Sequence, residues 1–381
     1  MKKILIFSTA YLPLIGGAEV AVKEITDRAE TMQFNMITAR LDRKLPKRER
    51  IGKIDVYRIG IGWPLFDKYW LAFYGHKFAE KLNKKNKYNL IWAIMASYGG
   101  FTAVFFKKRN PAMPFLLTLQ EGDDFKYIDR RVGFLKNLFK EIFCRADYIQ
   151  AISNYLKKWA EEQGATCPIE VVPNGVDIKH FSWEYKAEDL LALKNKLGKL
   201  ENDKFIITTS RLVLKNAIDD IVKALEYSPD NFKFLILGAG SNENSLKLLA
   251  KNLKLDNRIF FLGQISQENL PKYLKISDIF IRPSLSEGLG ISFLEAMAVG
   301  LPVIATPVGG ITDFLRDGET GWFCEVKNPH SIAEKIKYIF DENNRIKVRG
   351  VVEKAKKMVE ENYGWDLIAA KMRNIFNKIT N

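Results

Sequence analysis

The sequence predicts an α/β protein built from two doubly wound domains in tandem, each a mostly parallel sheet with helices on both faces. Three observations predict it. The chain has 381 residues, more than one hydrophobic core usually organises. Short apolar runs alternate with amphipathic helical patterns from end to end, as parallel strands buried on both faces require. Near the middle, Pro173-Asn174-Gly175 is a turn signal, after which a polar helical stretch leads into a second series of apolar runs.

The elements follow in order. In the first half the strand-like runs are KILIFSTA, FNMITAR, IDVYRIG, LIWAIMA, PFLLTLQ, DYIQAIS and IEVVPNG. In the second half they are FIITTSRL, FKFLILGAG, RIFFLGQI, IFIRPS, LPVIATP and GWFCEV. Between them lie helical patterns such as EVAVKEITDRAE, AIDDIVKALEY, SLKLLAKNLK and SIAEKIKYIFDE. The last segment, NYGWDLIAAKMRNIFNKITN, is an amphipathic helix with no strand after it, so it is expected to brace the structure by packing back. Domains are expected over residues 1–178 and 179–360, with 361–381 as a helix returning to the first. Two such domains are expected to face each other across a cleft, because open parallel sheets take ligands at the carboxyl ends of their strands.

The start MKKILIFSTAYLP turns polar too soon for a signal peptide and reads as a first strand. Residues 88–106 carry no charge over nineteen positions, enough to suggest a membrane span. The Tyr98-Gly99-Gly100 turn within them argues instead for strand, turn and the start of a helix ending at Lys107-Lys108. Three cysteines (Cys144, Cys167, Cys324) show no CxxC spacing and read as reduced thiols of a cytoplasmic protein.

Charge is lopsided. Residues 1–180 hold 30 Lys+Arg against 19 Asp+Glu, a surplus of 11, while residues 181–381 hold 29 against 26, a surplus of 3. The first half therefore either carries solvated basic helix faces or meets an anionic partner, such as a membrane surface. Nucleic acid is not expected, since no zinc-finger, RNP-like or helix-turn-helix pattern accompanies the charge. Residues 63–88 and 126–146 are basic and aromatic; the second places Phe134, Leu135, Leu138, Phe139, Ile142 and Phe143 among lysines and arginines. That pattern fits either a core helix with a charged outer face or an interfacial helix.

The densest chemistry lies in SEGLGISFLEAMAVGLPVIAT. Gly288 and Gly290 let backbone come close to a ligand, and the helix starting at Ile291 offers free amides and a partial positive charge to an anion. The amides of Leu289, Gly290 and Ile291 are thus candidate diphosphate donors. Glu295, one turn in, is a candidate acceptor for vicinal ribose hydroxyls, and Glu287 faces what lies beyond the phosphate. Diphosphate flanked by hydroxylated groups describes a nucleotide sugar. Arg211 and Lys215, four residues apart after the strand FIITTS, could both reach one diphosphate. Gly16-Gly17 makes a tight turn after the first strand, with backbone free to meet a phosphate or acceptor, and Gly238 and Gly240 form a partial glycine pattern that is either a structural turn or a ligand border. Asp123 and Asp124 could bind acceptor hydroxyls or face water, whereas Asp219-Asp220 opens a helix whose dipole it matches. His76, His180 and His330 sit in no motif, no metal-ligand constellation stands out, and neither metal nor cofactor is expected.

The run EGLGISFLEAMAVGLPVIAT resembles the signature of glycosyltransferase family 4, retaining enzymes of the GT-B fold (group 1 glycosyl transferases). YLPLIGGAE, SRLVLKN, VVPNGVD, LGAG, FLGQIS, PVGGITDFLRDGETGWFC and the terminal helix opened by YGW match in the same order, so the resemblance covers nearly the whole chain. It implies two Rossmann-like domains facing across a cleft, with the acceptor on the first and the nucleotide sugar on the second. It also implies that Arg211 and Lys215 neutralise the donor diphosphate, that Gly16 and Gly17 border donor phosphates and acceptor, and that Gly238 and Gly240 border the donor. Two positions depart from the pattern: Gln120 stands where the family usually has histidine, and Asn216 where glycine is more usual. Gln120 can hydrogen-bond a sugar but cannot carry a proton. The implied function is retaining transfer of a hexosyl group to a hydroxyl of a lipid-linked or envelope glycan precursor, by a cytoplasmic enzyme peripheral to the inner membrane face. A same-fold sugar-nucleotide epimerase, or a nucleotide-sugar-binding protein without activity, are the alternatives.

Overall fold

A computed structural model describes residues 1–380, apart from the Phe134 side chain, which lies outside the described residues. The chain divides into two compact units, one from Met1 to Gly175 joined by the segment from Trp365 onward, the other Val176–Gly364.

The first unit holds eight strands: β1 Lys2–Phe7, β2 Met32–Ala39, β3 Arg48–Ile51, β4 Ile54–Ile59, β5 Leu90–Ile94, β6 Phe115–Leu119, β7 Tyr148–Ala151 and β8 Ile169–Val171. They form one sheet in the order β3-β4-β2-β1-β5-β6-β7-β8, parallel throughout except for β3 against β4. The chain winds outward from β1 and then returns to its other side at β5, so loops after β1 and β5 splay apart at a switch point. Ile4, Leu5, Ile6 and Phe7 are fully buried, which explains why β1 reads as a continuous apolar run. The charged edge strand β3, RERI, has no apolar run and escapes sequence reading.

Residues 88–106 fold as β5, a turn, and the first part of the helix Tyr98–Arg109, as the glycines predict. A Cβ on Gly99 would meet the Phe7 backbone at 3.0 Å, so this helix lies tightly against the end of β1 and a larger residue there would push the two apart by a few tenths of an ångström. Among the described residues no helix is long and apolar enough to cross a membrane. The helix Trp365–Thr380 completes the first unit: Met372, Ile375 and Phe376 are buried, and the Phe376 ring meets Trp92 at 5.0 Å. The helix Lys136–Cys144 buries Phe139, Ile142 and Phe143, so these three residues of the apolar stripe pack in the core, while Leu135 and Leu138 are half-buried.

The second unit holds β9 Lys204–Thr209, β10 Phe232–Leu237, β11 Ile259–Gly263, β12 Ile279–Arg282, β13 Val303–Ala305 and β14 Trp322–Phe323. Their order is β11-β10-β9-β12-β13-β14, all parallel, with the switch point between β9 and β12. The helix Ile291–Val299 follows β12 and ends at Gly300, whose φ of 90° closes it in the left-handed conformation. An eighteen-residue helix, Arg345–Asn362, packs against it.

Candidate functional site

In the second unit the expected residues gather on the loops at the carboxyl edge of the sheet, on either side of the switch point. The Lys215 carbonyl accepts a hydrogen bond from the Leu285 amide at 2.7 Å, which ties the loop after β9 to the loop after β12. Asn216 donates from Nδ2 to the Arg211 carbonyl at 2.6 Å, so the residue that replaces the usual glycine clamps the Arg211–Lys215 turn. Arg211 is exposed and Lys215 half-buried.

Gly238 and Gly240 have a packing reason. A Cβ on Gly238 would sit 1.8 Å from the Ser210 carbonyl oxygen, and one on Gly240 would sit 2.3 Å from that of Leu212. The loop after β10 therefore presses backbone to backbone on the Arg211 loop, and a side chain at either position would force them apart. Gly309 does the same for the next loop, where a Cβ would lie 1.9 Å from the Glu287 carbonyl oxygen.

Gly290 takes φ 92° at the head of the helix Ile291–Val299, and no side chain caps that helix. Its amide end is therefore available to an anion. Gly288, Leu289 and Gly290 are buried and Ile291 is half-buried, so this loop is seated in the unit rather than swinging free.

The residue that organises this loop, Arg282, is absent from the sequence reading. It ends β12, is almost fully buried, and donates to Glu287 Oε2 at 2.6 Å and to Ser292 Oγ at 2.7 Å. Its guanidinium lies 4.3 Å from the centre of the Phe293 ring. Glu287 is thereby fixed, with its Oε1 accepting the Gly288 amide at 3.2 Å. The signal was there: an arginine ending the apolar run IFIRPS is costly to bury unless a carboxylate meets it. Glu295 is buried, and burial pushes its carboxyl up to about 7 against the opposing pull of the Arg282 charge. The Ser210 and Ser284 hydroxyls, on the loops after β9 and β12, and the Arg282 Nε are buried without a protein partner. Such groups at a strand-end switch point suit a polar ligand.

In the first unit, hydrogen bonds link loop to loop along the corresponding edge. Thr9 and Ser97 hydroxyls meet at 3.0 Å, the Ala96 amide donates to Glu121 Oε1 at 2.5 Å, and Asn174 Nδ2 donates to Gln120 Oε1 at 2.8 Å. Gln120 is thus held in place by its amide oxygen. Glu121, which the sequence reading passed over beside Gln120, is a buried carboxyl that burial raises to about 7. Gly16 heads the helix Gly17–Asp27, which follows β1, with no side-chain cap and with Glu19 in its first turn. Gly17 is exposed. Asp124 is a helix cap, accepting from the amides of Lys126 and Tyr127. Asp219 and Asp220 open the helix Ile218–Ala224 as expected. Among the described residues no cluster of three His, Cys, Asp or Glu is arranged to hold a metal ion.

Comparison with known proteins decides the family. Residues 191–365 match the sequence model of glycosyl transferases group 1, and residues 15–180 match that of glycosyltransferase family 4. The chain belongs to this glycosyltransferase family. An uncharacterized glycosyltransferase of Methanocaldococcus jannaschii is 25% identical over 98% of this chain and 97% of that protein. The alpha-monoglucosyldiacylglycerol synthase of Acholeplasma laidlawii is also 25% identical, over 98% and 96%. Among solved structures, sucrose-phosphate synthase from Thermosynechococcus elongatus superposes with a TM-score of 0.87 at 20% identity, covering 99% of each chain. Anabaena HepE, solved with UDP and glucose, superposes with a TM-score of 0.80 at 18% identity, covering 99% of this chain and 100% of that one. The glycosyltransferase fold is GT-B, and its two parallel sheets are the pair described above.

Proposed function

We propose that this glycosyltransferase moves a hexosyl group, with retention of anomeric configuration, from a nucleoside diphosphate sugar to a hydroxyl of a lipid-linked or envelope glycan precursor. It does so without an essential metal, at the inner face of the cytoplasmic membrane. The observation that carries the reading is the uncapped helix mouth at Gly290, beside the partnerless Ser210 and Ser284 hydroxyls at the switch point. HepE, solved with UDP and glucose, and a relative named for making a glucosylated diacylglycerol support the donor and acceptor classes.

In this reading the amides of Leu289, Gly290 and Ile291 hold the diphosphate. Arg211 and Lys215 add the cationic charge that a metal supplies elsewhere. Glu295 takes the ribose hydroxyls. Glu287, pinned by Arg282, presents its carboxylate to the sugar and stabilises positive character at the anomeric carbon. Gln120, held by Asn174, and the Gly16-Gly17 turn face the acceptor. The bond from anomeric carbon to diphosphate oxygen breaks, the acceptor oxygen bonds to the same face, and the acceptor proton passes to the departing phosphate oxygen. No protein base is needed at position 120, so glutamine there is compatible with turnover.

The test is a thermal-shift screen against UDP, GDP, ADP and dTDP sugars with and without EDTA, followed by NMR of the product's anomeric centre. One nucleotide class is expected to raise the melting temperature equally with and without chelator, and product is expected to keep the donor's configuration. No shift with any nucleotide sinks the donor reading. An isomerised donor without acceptor points to an epimerase, and binding without turnover points to a non-catalytic protein.

A further inference from the structure

The helix Pro64–Asn86 of the first unit exposes an unusual face. Phe66, Trp70 and Tyr74 lie four residues apart and stack on one another, with ring centroids 5.6 Å and 4.7 Å apart. Trp63 is 56% exposed and Trp70 41%. Further along, the same side of the helix carries Lys77 and Lys81, with Lys84 and Lys85 in the last turn. The opposite side supplies the packing, through Leu71, Ala72, Gly75 and Ala79. The exposed face is thus aromatic over its first turns and cationic over its last.

The acidic residues of this helix do not offset that charge. Asp67 is fully buried and accepts the amides of Ile61, Gly62 and Trp63 at 2.9, 2.6 and 3.0 Å. Glu80 pairs with Arg109 at 3.2 Å. The Asp67 contacts also fix the turn that presents Ile61 and Trp63 to solvent, so the aromatic edge is held in place. A contiguous exposed patch of this kind is rare on a protein that meets only water.

We propose that this face docks the enzyme on an anionic lipid bilayer, with Trp63, Phe66, Trp70 and Tyr74 entering the headgroup region and the lysines resting on anionic lipid. The proposal rests on the lipid-linked acceptor and membrane-face location argued above and names the surface responsible. Charge complementarity selects the partner. Aromatic rings with a polar edge favour the membrane interface, and each lysine near an anionic surface adds attraction. A neutral glycan would call for carboxylate or amide groups beside the rings, and the one carboxylate among the aromatic turns, Asp67, is buried and occupied.

The experiment is flotation of the full chain with phosphatidylcholine vesicles, with and without about 30 mol% phosphatidylglycerol as the anionic component. The wild type is expected to float with the anionic vesicles and to be released by salt. Phe66→Ser, Trp70→Ser and Tyr74→Ser together are expected to lower partitioning by about tenfold or more. Lys77→Glu with Lys81→Glu is expected to weaken it while leaving the melting temperature unchanged. Brominated lipid is expected to quench fluorescence that Trp63→Phe and Trp70→Phe remove. The proposal is overturned if the triple variant floats as the wild type does, if recovery is the same on neutral vesicles, or if no vesicle binds. It is equally overturned if the variants abolish self-association, or binding of a soluble oligosaccharide, and leave flotation alone. Nucleotide binding is measured in vesicle-free solution on the same preparations. A wild type that fails to float yet binds nucleotide sinks only the docking face, and a wild type that floats yet binds no nucleotide sinks only the donor reading.

Discussion

Replacing Arg282 by methionine removes a guanidinium that is almost wholly buried while leaving its partner Glu287 in place. The pair meets at 2.6 Å, with the side chains only 7% and 16% exposed, so Glu287 would lose its partner with little water to replace it. Breaking a buried pair from one side costs about 3–5 kcal/mol. The Ser292 hydrogen bond and the stacking on Phe293 are lost as well. Glu287→Gln is milder, about 1–2 kcal/mol, because Arg282 keeps Ser292 and the aromatic face. The double variant leaves no stranded charge, so the single losses should exceed the combined loss by about 1.5–3 kcal/mol. For a unit of this size, Arg282→Met alone should lower the melting midpoint by about 6–20 °C. Urea unfolding of the four proteins of the cycle, followed by tryptophan fluorescence and circular dichroism, measures these terms. An Arg282→Met loss under about 0.5 kcal/mol, or a cycle additive within that margin, would refute the claim that this pair shapes the loop.

Lys215→Ala should lower kcat/KM by about ten- to a hundredfold through lost charge on the departing diphosphate, and unchanged steady-state kinetics would reject that role. Gly290→Ala and Gly300→Ala form a controlled comparison, since both have φ near 90° but a Cβ on Gly290 would lie 2.5 Å from the Phe293 ring while Gly300 has open space. Gly300→Ala should cost about 1–2 kcal/mol for the left-handed backbone alone, and Gly290→Ala distinctly more; equal losses in urea unfolding would contradict the close approach. Glu295 is raised from 4.5 to about 7 by burial, so the folded state holds its proton over a range where the unfolded chain has lost it. That contribution is complete below pH 4.5 and is lost as pH rises through 7, by about 3 kcal/mol. Glu295→Gln should therefore gain stability relative to wild type between pH 4.5 and 8, and a pH-independent difference would argue against a buried, raised carboxyl.

The strands were legible because parallel sheets buried on both faces write unbroken apolar runs, and each run from KILIFSTA to GWFCEV contains a strand. β3 was not, because an edge strand reading RERI faces solvent and obeys no apolar pattern. The helix mouth at Gly290 was legible because only glycine serves there. Arg282 and Glu121 were harder. Each is a single charged residue whose meaning depends on a partner brought near by folding, Glu287 for one and the Ala96 amide for the other. The roles of Gly238 and Gly309 are likewise tertiary, since the carbonyls they accommodate belong to Ser210 and Glu287 on other loops. The stripe at residues 135–143 left two readings open in the sequence, because an amphipathic helix against a core and one against a membrane share one periodicity.

The most direct measurement is a crystal structure of the chain with the nucleotide sugar that the thermal-shift screen selects. The diphosphate should lie within hydrogen-bond reach, about 3 Å, of the amides at Gly290 and Ile291, with the Ser210 or Ser284 hydroxyl also engaged. A diphosphate bound elsewhere on the chain, with those amides untouched, would contradict it.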